Sequence, residues 1–169
     1  MQATYRALVL PPPPPASSEA ARRVLRRTSR RDTAPELALR RQLHRLGMRF
    51  LVDVSAAGTS RRRRVDVLLR GARVAVLVHG CFWHGCPEHF HAPKANAGWW
   101  RLKLESVRQR DADTLVQLVA ADWLPVVVWE HEDMTVVAQR LSALDRERRR
   151  AGPVRRAPRA RVVDRAAGT

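Results

Sequence analysis

Cysteine is nearly absent from this chain of 169 residues: only Cys81 and Cys86 occur. Two cysteines cannot build the disulfide framework of a small secreted domain, and in a reducing compartment a close pair amid histidines is more readily a metal site. Long apolar runs are missing as well. No stretch approaches the ~20 residues that a membrane span needs, and the N-terminus lacks the basic start, apolar middle and small-residue cleavage site of a secretory signal. The chain therefore reads as cytoplasmic. Negative charge is scarce, with 16 Asp and Glu against 32 Lys and Arg, a formal net charge of +16. Lysine is almost lacking too, Lys94 and Lys103 being the two present, so the basic side chains are nearly all arginine. Arginine forks onto phosphate and stacks on bases better than lysine does, which makes nucleic acid the first partner to consider. A merely solvated arginine surface is the alternative.

A hydrophobic share of 45% with 28% charged residues is ordinary for one globular domain of this length. Pro11 to Pro15 form a polyproline segment without backbone donors, so residues 1–18 read as a disordered leader. A basic stretch from Glu19 to Arg31 follows, and the arginine-rich, proline-broken residues 151–169 read as a disordered tail. The domain spans 19–150. Thr33-Ala34-Pro35-Glu36 has the form of a capping box with proline in the first turn, and Gly47 marks the helix end, with Leu39, Leu43 and Leu46 as its apolar stripe. Extended runs at 49–54, 65–69 and 74–78, separated by Gly58 and Gly71, predict a three-stranded meander. A long helix over about 99–120 carries Trp100, Leu104, Val107, Leu115 and Leu118 on one face, and a strand at 125–129 and a helix over about 134–149 complete the order.

Chemistry concentrates in His79-Gly80-Cys81-Phe82-Trp83-His84-Gly85-Cys86-Pro87-Glu88-His89, directly after the apolar run Val74 to Val78. A sheet delivers its chain to an edge there, which is a usual place for function. Cys81, Cys86 and His89 are zinc-type ligands, and His131, just beyond the last strand, could close a tetrahedron, with His84 and His91 as competing ligands by spacing. Four protein ligands would leave no open position for water, so such a metal would be structural. Phe82, Trp83 and the pair Trp99-Trp100 either plug the core under a long loop or wedge between base steps.

Three acids sit where apolar residues belong. Asp66 lies inside a strand between Val65 and Val67, Asp111 falls between Val107 and Leu115 on the stripe of the long helix, and Glu36 precedes Leu39 on that of the first. A carboxylate inside a strand costs several kcal/mol of desolvation unless a cation or donors meet it. Taken alone, Glu36 has its capping box and Asp111 has arginines to pair with. Together, with His79 and His84 beyond the next strand, the three acids form a hard-cation site with imidazoles beside it, as phosphodiester cleavage requires.

Arg31-Asp32-Thr33-Ala34-Pro35-Glu36, Val65-Asp66, the run from His79 to His89, Arg110-Asp111 and Val128-Trp129-Glu130 together resemble the very short patch repair (Vsr) DNA mismatch endonucleases, over about 21–143. The resemblance implies a restriction-endonuclease-like α/β core, a mixed central sheet flanked by helices, with a structural Zn²⁺. It also implies Mg²⁺-dependent nicking of double-stranded DNA 5′ of the thymine in a T:G mismatch left by deamination of 5-methylcytosine. Carried over, Asp66 is the central Mg²⁺ ligand with the Val78 carbonyl beside it, and Glu36 and Asp111 hold the metal's waters. His84 is the general base, with His79 its helper. Cys81, Cys86, His89 and His131 are the zinc ligands. Leu25, Phe82, Trp83, Trp100 and Lys103 meet the DNA. The implied protein is a cytoplasmic, nucleoid-associated monomer, with mismatch-repair proteins as further partners. The chain departs from the family pattern before Asp66, where Thr59-Ser60-Arg61-Arg62-Arg63-Arg64 replaces a proline-glycine approach. It departs again at Val107, where asparagine is common, and at Leu25, where methionine is usual. A zinc-stabilised DNA-binding protein, or a nickase for another lesion, is the alternative.

Overall fold

Thr33-Ala34-Pro35-Glu36 starts the first helix where the sequence predicts it. In the computed structural model, which describes residues 8–20, 22, 23 and 31–152, α1 (Ala34–Arg45) has Thr33 as N-cap and proline in the first turn. The capping box takes an altered form. Glu36 Oε2 accepts from the Asp32 N–H at 3.0 Å, while the Thr33 hydroxyl donates to Glu36 Oε1 at 2.8 Å instead of capping the backbone. The other end is a Schellman motif: Gly47, at φ 69°, donates its N–H to His44 O and Met48 donates to Leu43 O. Leu39 and Leu43 are fully buried, but Leu46 is 45% exposed. It was expected on the stripe, and it leaves it because the helix stops at Arg45 and Leu46 is the C-cap.

The predicted meander forms. β1 (Leu51–Ser55), β2 (Arg64–Leu69) and β3 (Val74–His79) pair antiparallel in sequence order. β4 (Leu124–Trp129) adds parallel to β3, giving the order β1-β2-β3-β4. A parallel neighbour requires a crossover. The single turn α2 (Cys81–His84) and the long α3 (Ala97–Ala120) supply it, and α4 (Met134–Arg150) follows β4 with Asp133 capping its first turn.

Both faces of this four-stranded mixed sheet are covered. On one, Leu39 and Leu43 of α1 and Val137, Ala138 and Leu141 of α4 pack on Val67, Leu69, Val74 and Val76. On the other, Leu118 of α3 packs with Trp123, Val65, Leu68, Ala75 and Leu77. The near-continuous apolar run of β3 follows from burial on both sides. Leu69 is 0% exposed at the centre of the first cluster. Leu69→Ala should therefore cost about 2–5 kcal/mol in urea denaturation, and a loss below about 1 kcal/mol would contradict this packing. Among the described residues no helix is long and apolar enough to cross a membrane.

The topology gathers three chain segments at one sheet end. Parallel pairing sets His79 beside Trp129, so the turns after β3 and β4 emerge together. The antiparallel register, Val67 opposite Val76, carries the start of β2 to that same end. Asp66, the run from His79 to His89 and His131 thus converge, although they span about two fifths of the chain.

Candidate functional site

Asp66 lies near the start of β2, half-buried, and its Oδ2 accepts the Val78 N–H at 2.6 Å. Burial pushes its carboxyl up to about 6, against the pull of that N–H. Glu36 pushes in the same direction by like-charge repulsion, and Arg40 and His84 oppose it, so all three charges lie around Asp66. Glu36 is 5% exposed and is held by Arg40, whose Nη2 donates to Oε2 at 2.6 Å. Arg40 also pairs with Asp32, and its buried Nε has no partner among the described residues. One internal guanidinium thus serves two carboxylates on the approach to α1.

On the other side of Asp66 stand two imidazoles and a third acid. His79 and His84 stack with ring centroids 3.9 Å apart and planes 9° from parallel. Asp111 Oδ2 lies 2.6 Å from His84 Nδ1, both side chains being more than four-fifths buried. Burial, with His84 next to it, lowers the His79 pKa to about 4, so His79 is neutral at physiological pH. Asp111 engages His84 through Nδ1, so Nε2 is the ring nitrogen turned away from that carboxylate. His79, His84 and Asp111 together bring one donor atom each within 4.8 Å of the others, which is close enough to share a cation or a water.

The second cluster is Cys81, Cys86, His89 and His131, again with all four donor atoms within 4.8 Å. Cys81 Sγ lies 3.1 Å from His131 Nδ1, and Cys86 Sγ lies 3.7 Å from the same nitrogen and 3.8 Å from His89 Nδ1. A tetrahedral ion with metal–sulfur bonds of ~2.3 Å and metal–nitrogen bonds of ~2.0 Å would set its donors roughly 3.3–3.8 Å apart. Two of these separations fall in that range and the Cys81–His131 one lies just below it, so the donor set and its spacing fit a closed four-ligand metal centre. Burial raises the Cys81 thiol, with Cys86 and Glu130 adding to the effect. For Cys86, burial is outweighed by the N–H groups of Glu88 and His89, and its thiol is lowered. Glu130 also accepts from the Cys81 N–H at 2.6 Å and donates its own N–H to His79 O at 2.9 Å, tying the metal cluster to the histidine pair.

Between the clusters α2 presents its rings. Phe82, Trp83 and Trp100 form one half-buried group with centroids 5.2–5.9 Å apart, and Trp99 joins it at 5.0 Å from Trp100. The polyproline segment touches this group: Trp99 Nε1 donates to Pro11 O at 3.1 Å and Asn96 Nδ2 donates to Pro15 O at 3.2 Å. Lys103 lies one turn further along α3, half-buried. Val107 is 6% exposed and belongs to the buried face of α3. Leu25 lies outside the described residues.

His79, His84 and Asp111 thus form one cluster at this sheet end and Cys81, Cys86, His89 and His131 a second, with Phe82, Trp83 and Trp100 as a ring group. Asp66 and Glu36 stand outside both clusters, Glu36 acting on Asp66 by its charge, and His91 is exposed with Nδ1 3.1 Å from His89 O. The roles of Arg40 and Glu130 were not read from the sequence. The signal for Arg40 was its position four residues after Glu36, one turn on the same helix face; Glu130 stood in the Val128-Trp129-Glu130 run that carries the family resemblance, with no role attached to it.

Residues 17–89 match the family model described as DNA mismatch endonuclease Vsr. A type II nicking enzyme of Xanthomonas oryzae pv. oryzae, V.XorIIP, is 36% identical over 104 residues, 60% of this chain and 73% of that protein. The chain belongs to the Vsr family. The type II nicking enzyme V.NaeI of Lentzea aerocolonigenes is 38% identical over 106 residues, 62% of this chain and 64% of its own length. The DNA mismatch endonuclease Vsr of Escherichia coli K12 is 32% identical over 108 residues, 63% and 66% of the two chains. The chain spans somewhat less than two thirds of V.NaeI and of the E. coli protein. By their names, a DNA mismatch endonuclease and type II nicking enzymes thus both stand among the relatives.

Proposed function

We propose that this Vsr-family chain is a Mg²⁺-dependent DNA endonuclease that nicks one strand 5′ of the thymine in a T:G mismatch. Residues 19–150 form its endonuclease domain, on a restriction-endonuclease-like core. The observation that carries the reading is the meeting of Asp66, a carboxylate made reluctant to ionise by burial and by Glu36, with the His84–Asp111 pair at the same sheet end. A buried acid of that kind is matched by a divalent cation.

Asp66 and the Val78 backbone would hold Mg²⁺, and Glu36 and Asp111 its waters; when bound, the ion offsets charge on the scissile phosphate. The chain's own residues do the rest. Asp111 fixes the His84 tautomer through Nδ1, leaving Nε2 to take a proton from water. His79, neutral and stacked on His84, keeps that ring from turning and offers a hydrogen bond toward the phosphate. Arg40 keeps Glu36 in place. Zn²⁺ at Cys81, Cys86, His89 and His131 would pin α2, so that Phe82, Trp83 and Trp100 can press into the base stack from one groove while Lys103 meets the backbone. Leu25 is assigned to the other groove on the resemblance alone. The protein would act as a monomer in the cytoplasm, on nucleoid DNA.

Asp111→Asn is expected to lower the single-turnover nicking rate about 10²-fold or more, with DNA affinity unchanged, because the asparagine no longer enforces the reactive tautomer. An unaltered rate would remove His84–Asp111 from the mechanism.

A second reading, nicking at another target, is favoured by Val107: an apolar, buried side chain offers no donor to a base edge where the mismatch would lie. Labelled duplexes differing only in T:G or T:A, incubated with Mg²⁺, separate the two. Selective cutting of the T:G duplex is expected, and equal cutting of both would establish the second reading in its place.

A further inference from the structure

The turn between β1 and β2 carries Arg61-Arg62-Arg63-Arg64. Four neighbouring guanidiniums repel one another, so the loop needs anchors, and it has them. Ser60 donates its N–H to Gln117 Oε1 at 3.1 Å, Gln117 Nε2 donates to Asp113 Oδ2 at 2.7 Å, and Arg63 Nη2 donates to that same oxygen at 2.5 Å. Asp113 and Gln117 stand one turn apart on α3, and the Arg63 and Asp113 side chains are only 14% and 15% exposed, which shields the pair from salt. Arg64 turns onto Asp53, its Nε 2.6 Å from Oδ1.

Two of the four arginines, Arg63 and the exposed Arg64, are therefore already paired with carboxylates of the chain. Arg61 and Arg62 are exposed and have no carboxylate partner among the described residues. Their place is set by the sheet: β2 starts at the end where β3 delivers His79, so the turn before it lies at the sheet end of Asp66. A rigid tip bearing two forked cations loses little freedom when it meets phosphates, and it stands beside the Asp66 cluster.

We propose that the Arg61–Arg62 tip, latched to α3 through Ser60, Gln117, Asp113 and Arg63, is a clamp for backbone phosphates of duplex DNA flanking the nicking site. The placement of DNA at that end rests on the function proposed above, whereas the clamp itself is read by binding alone.

The test is fluorescence anisotropy with a fluorescein-labelled, fully matched duplex of about 20 base pairs, without Mg²⁺, across a KCl series. Replacing both arginines, Arg61→Ala with Arg62→Ala, should make the slope of log K against log salt less steep by about 1.8, or ~0.9 per phosphate. At about 0.1 M salt that is a loss of roughly 60-fold if the two lines meet near 1 M. A slope that changes by less than about 0.5 overturns the clamp. Asp113→Asn separates a latch from mere charge. It makes the protein more basic, so a charge effect alone predicts tighter binding; the latch predicts weaker binding, and tighter binding would overturn it. Nicking of a T:G duplex by the unaltered protein is read separately. A protein that fails to nick yet shows the altered slope loses the proposed activity and keeps the clamp, and the reverse result removes the clamp alone.

Discussion

Asp66→Asn is expected to abolish nicking and, in the same protein, to raise the thermal midpoint. The two effects have one cause. In the unfolded chain an aspartate titrates near its ordinary value, whereas in the fold burial and Glu36 raise Asp66 to about 6. Above pH 6 the folded protein therefore carries an ionised carboxylate that its surroundings disfavour, a penalty of about 3 kcal/mol when no Mg²⁺ is added. Asparagine keeps the acceptor for the Val78 N–H and removes the charge. A gain of about 6–12 °C at pH 7.5 follows for a chain of this size. The sign is set by the raised value: the penalty is complete above about pH 6, shrinks as pH falls through 6 and is gone below about 4, where Asp66 is protonated folded and unfolded alike. His79, lowered to about 4, contributes the opposite trend over the same window in both proteins and cancels from the difference. Scanning calorimetry of the two proteins at pH 7.5 and pH 4 measures this directly. A variant that nicks normally, or that melts lower at pH 7.5, would show that Asp66 is a structural acid.

Zinc removal has the second large effect. The four donors of Cys81, Cys86, His89 and His131 come from α2, the turn after it and the turn after β4. An ion binding only the folded form stabilises by about 4 kcal/mol when its free concentration is a thousandfold above Kd. Stripped protein should thus melt about 8–16 °C lower than protein reloaded with zinc. Because Cys81 and Cys86 bracket Phe82, Trp83 and His84, the loss would also free the rings and the base together, so nicking should fall with the metal even in ample Mg²⁺. Freshly purified protein should contain about one zinc per chain; Cys86→Ser should contain little. Absence of zinc from the unaltered protein would reject the closed centre.

What could be read from the sequence was what local rules govern. The start of α1 follows from Thr33-Ala34-Pro35-Glu36, its end from Gly47, and the meander from apolar runs punctuated by Gly58 and Gly71. Asp66 announced itself as an acid inside a strand, and the Cys/His cluster as ligands at short spacing. Leu46 was misplaced because a stripe spaced four and three continues on paper past the point where the C-cap turns the chain. The pairing of Asp111 with His84 bridges 27 residues and depends on how α3 lies across the sheet, which periodicity does not report. Asp111 Oδ2 faces the His84 imidazole while Oδ1 lies 3.9 Å from Arg110 Nη2. Arg40 was hidden for a different reason: its one local mark, a place four residues after Glu36, does not stand out in a chain with 32 basic residues. The contacts of Pro11 and Pro15 with Trp99 and Asn96 use backbone carbonyls, which carry no residue-specific signal.

The central claim is that this sheet end cuts one strand of duplex DNA. A T:G duplex labelled on either strand in turn, incubated with the protein and Mg²⁺ and resolved on a denaturing gel, tests it most directly. A single product from the thymine strand, ending immediately 5′ of the mismatched base and absent in the presence of a chelator, is the predicted result. Intact strands in Mg²⁺ with zinc-loaded protein, or cleavage of both strands, would contradict it.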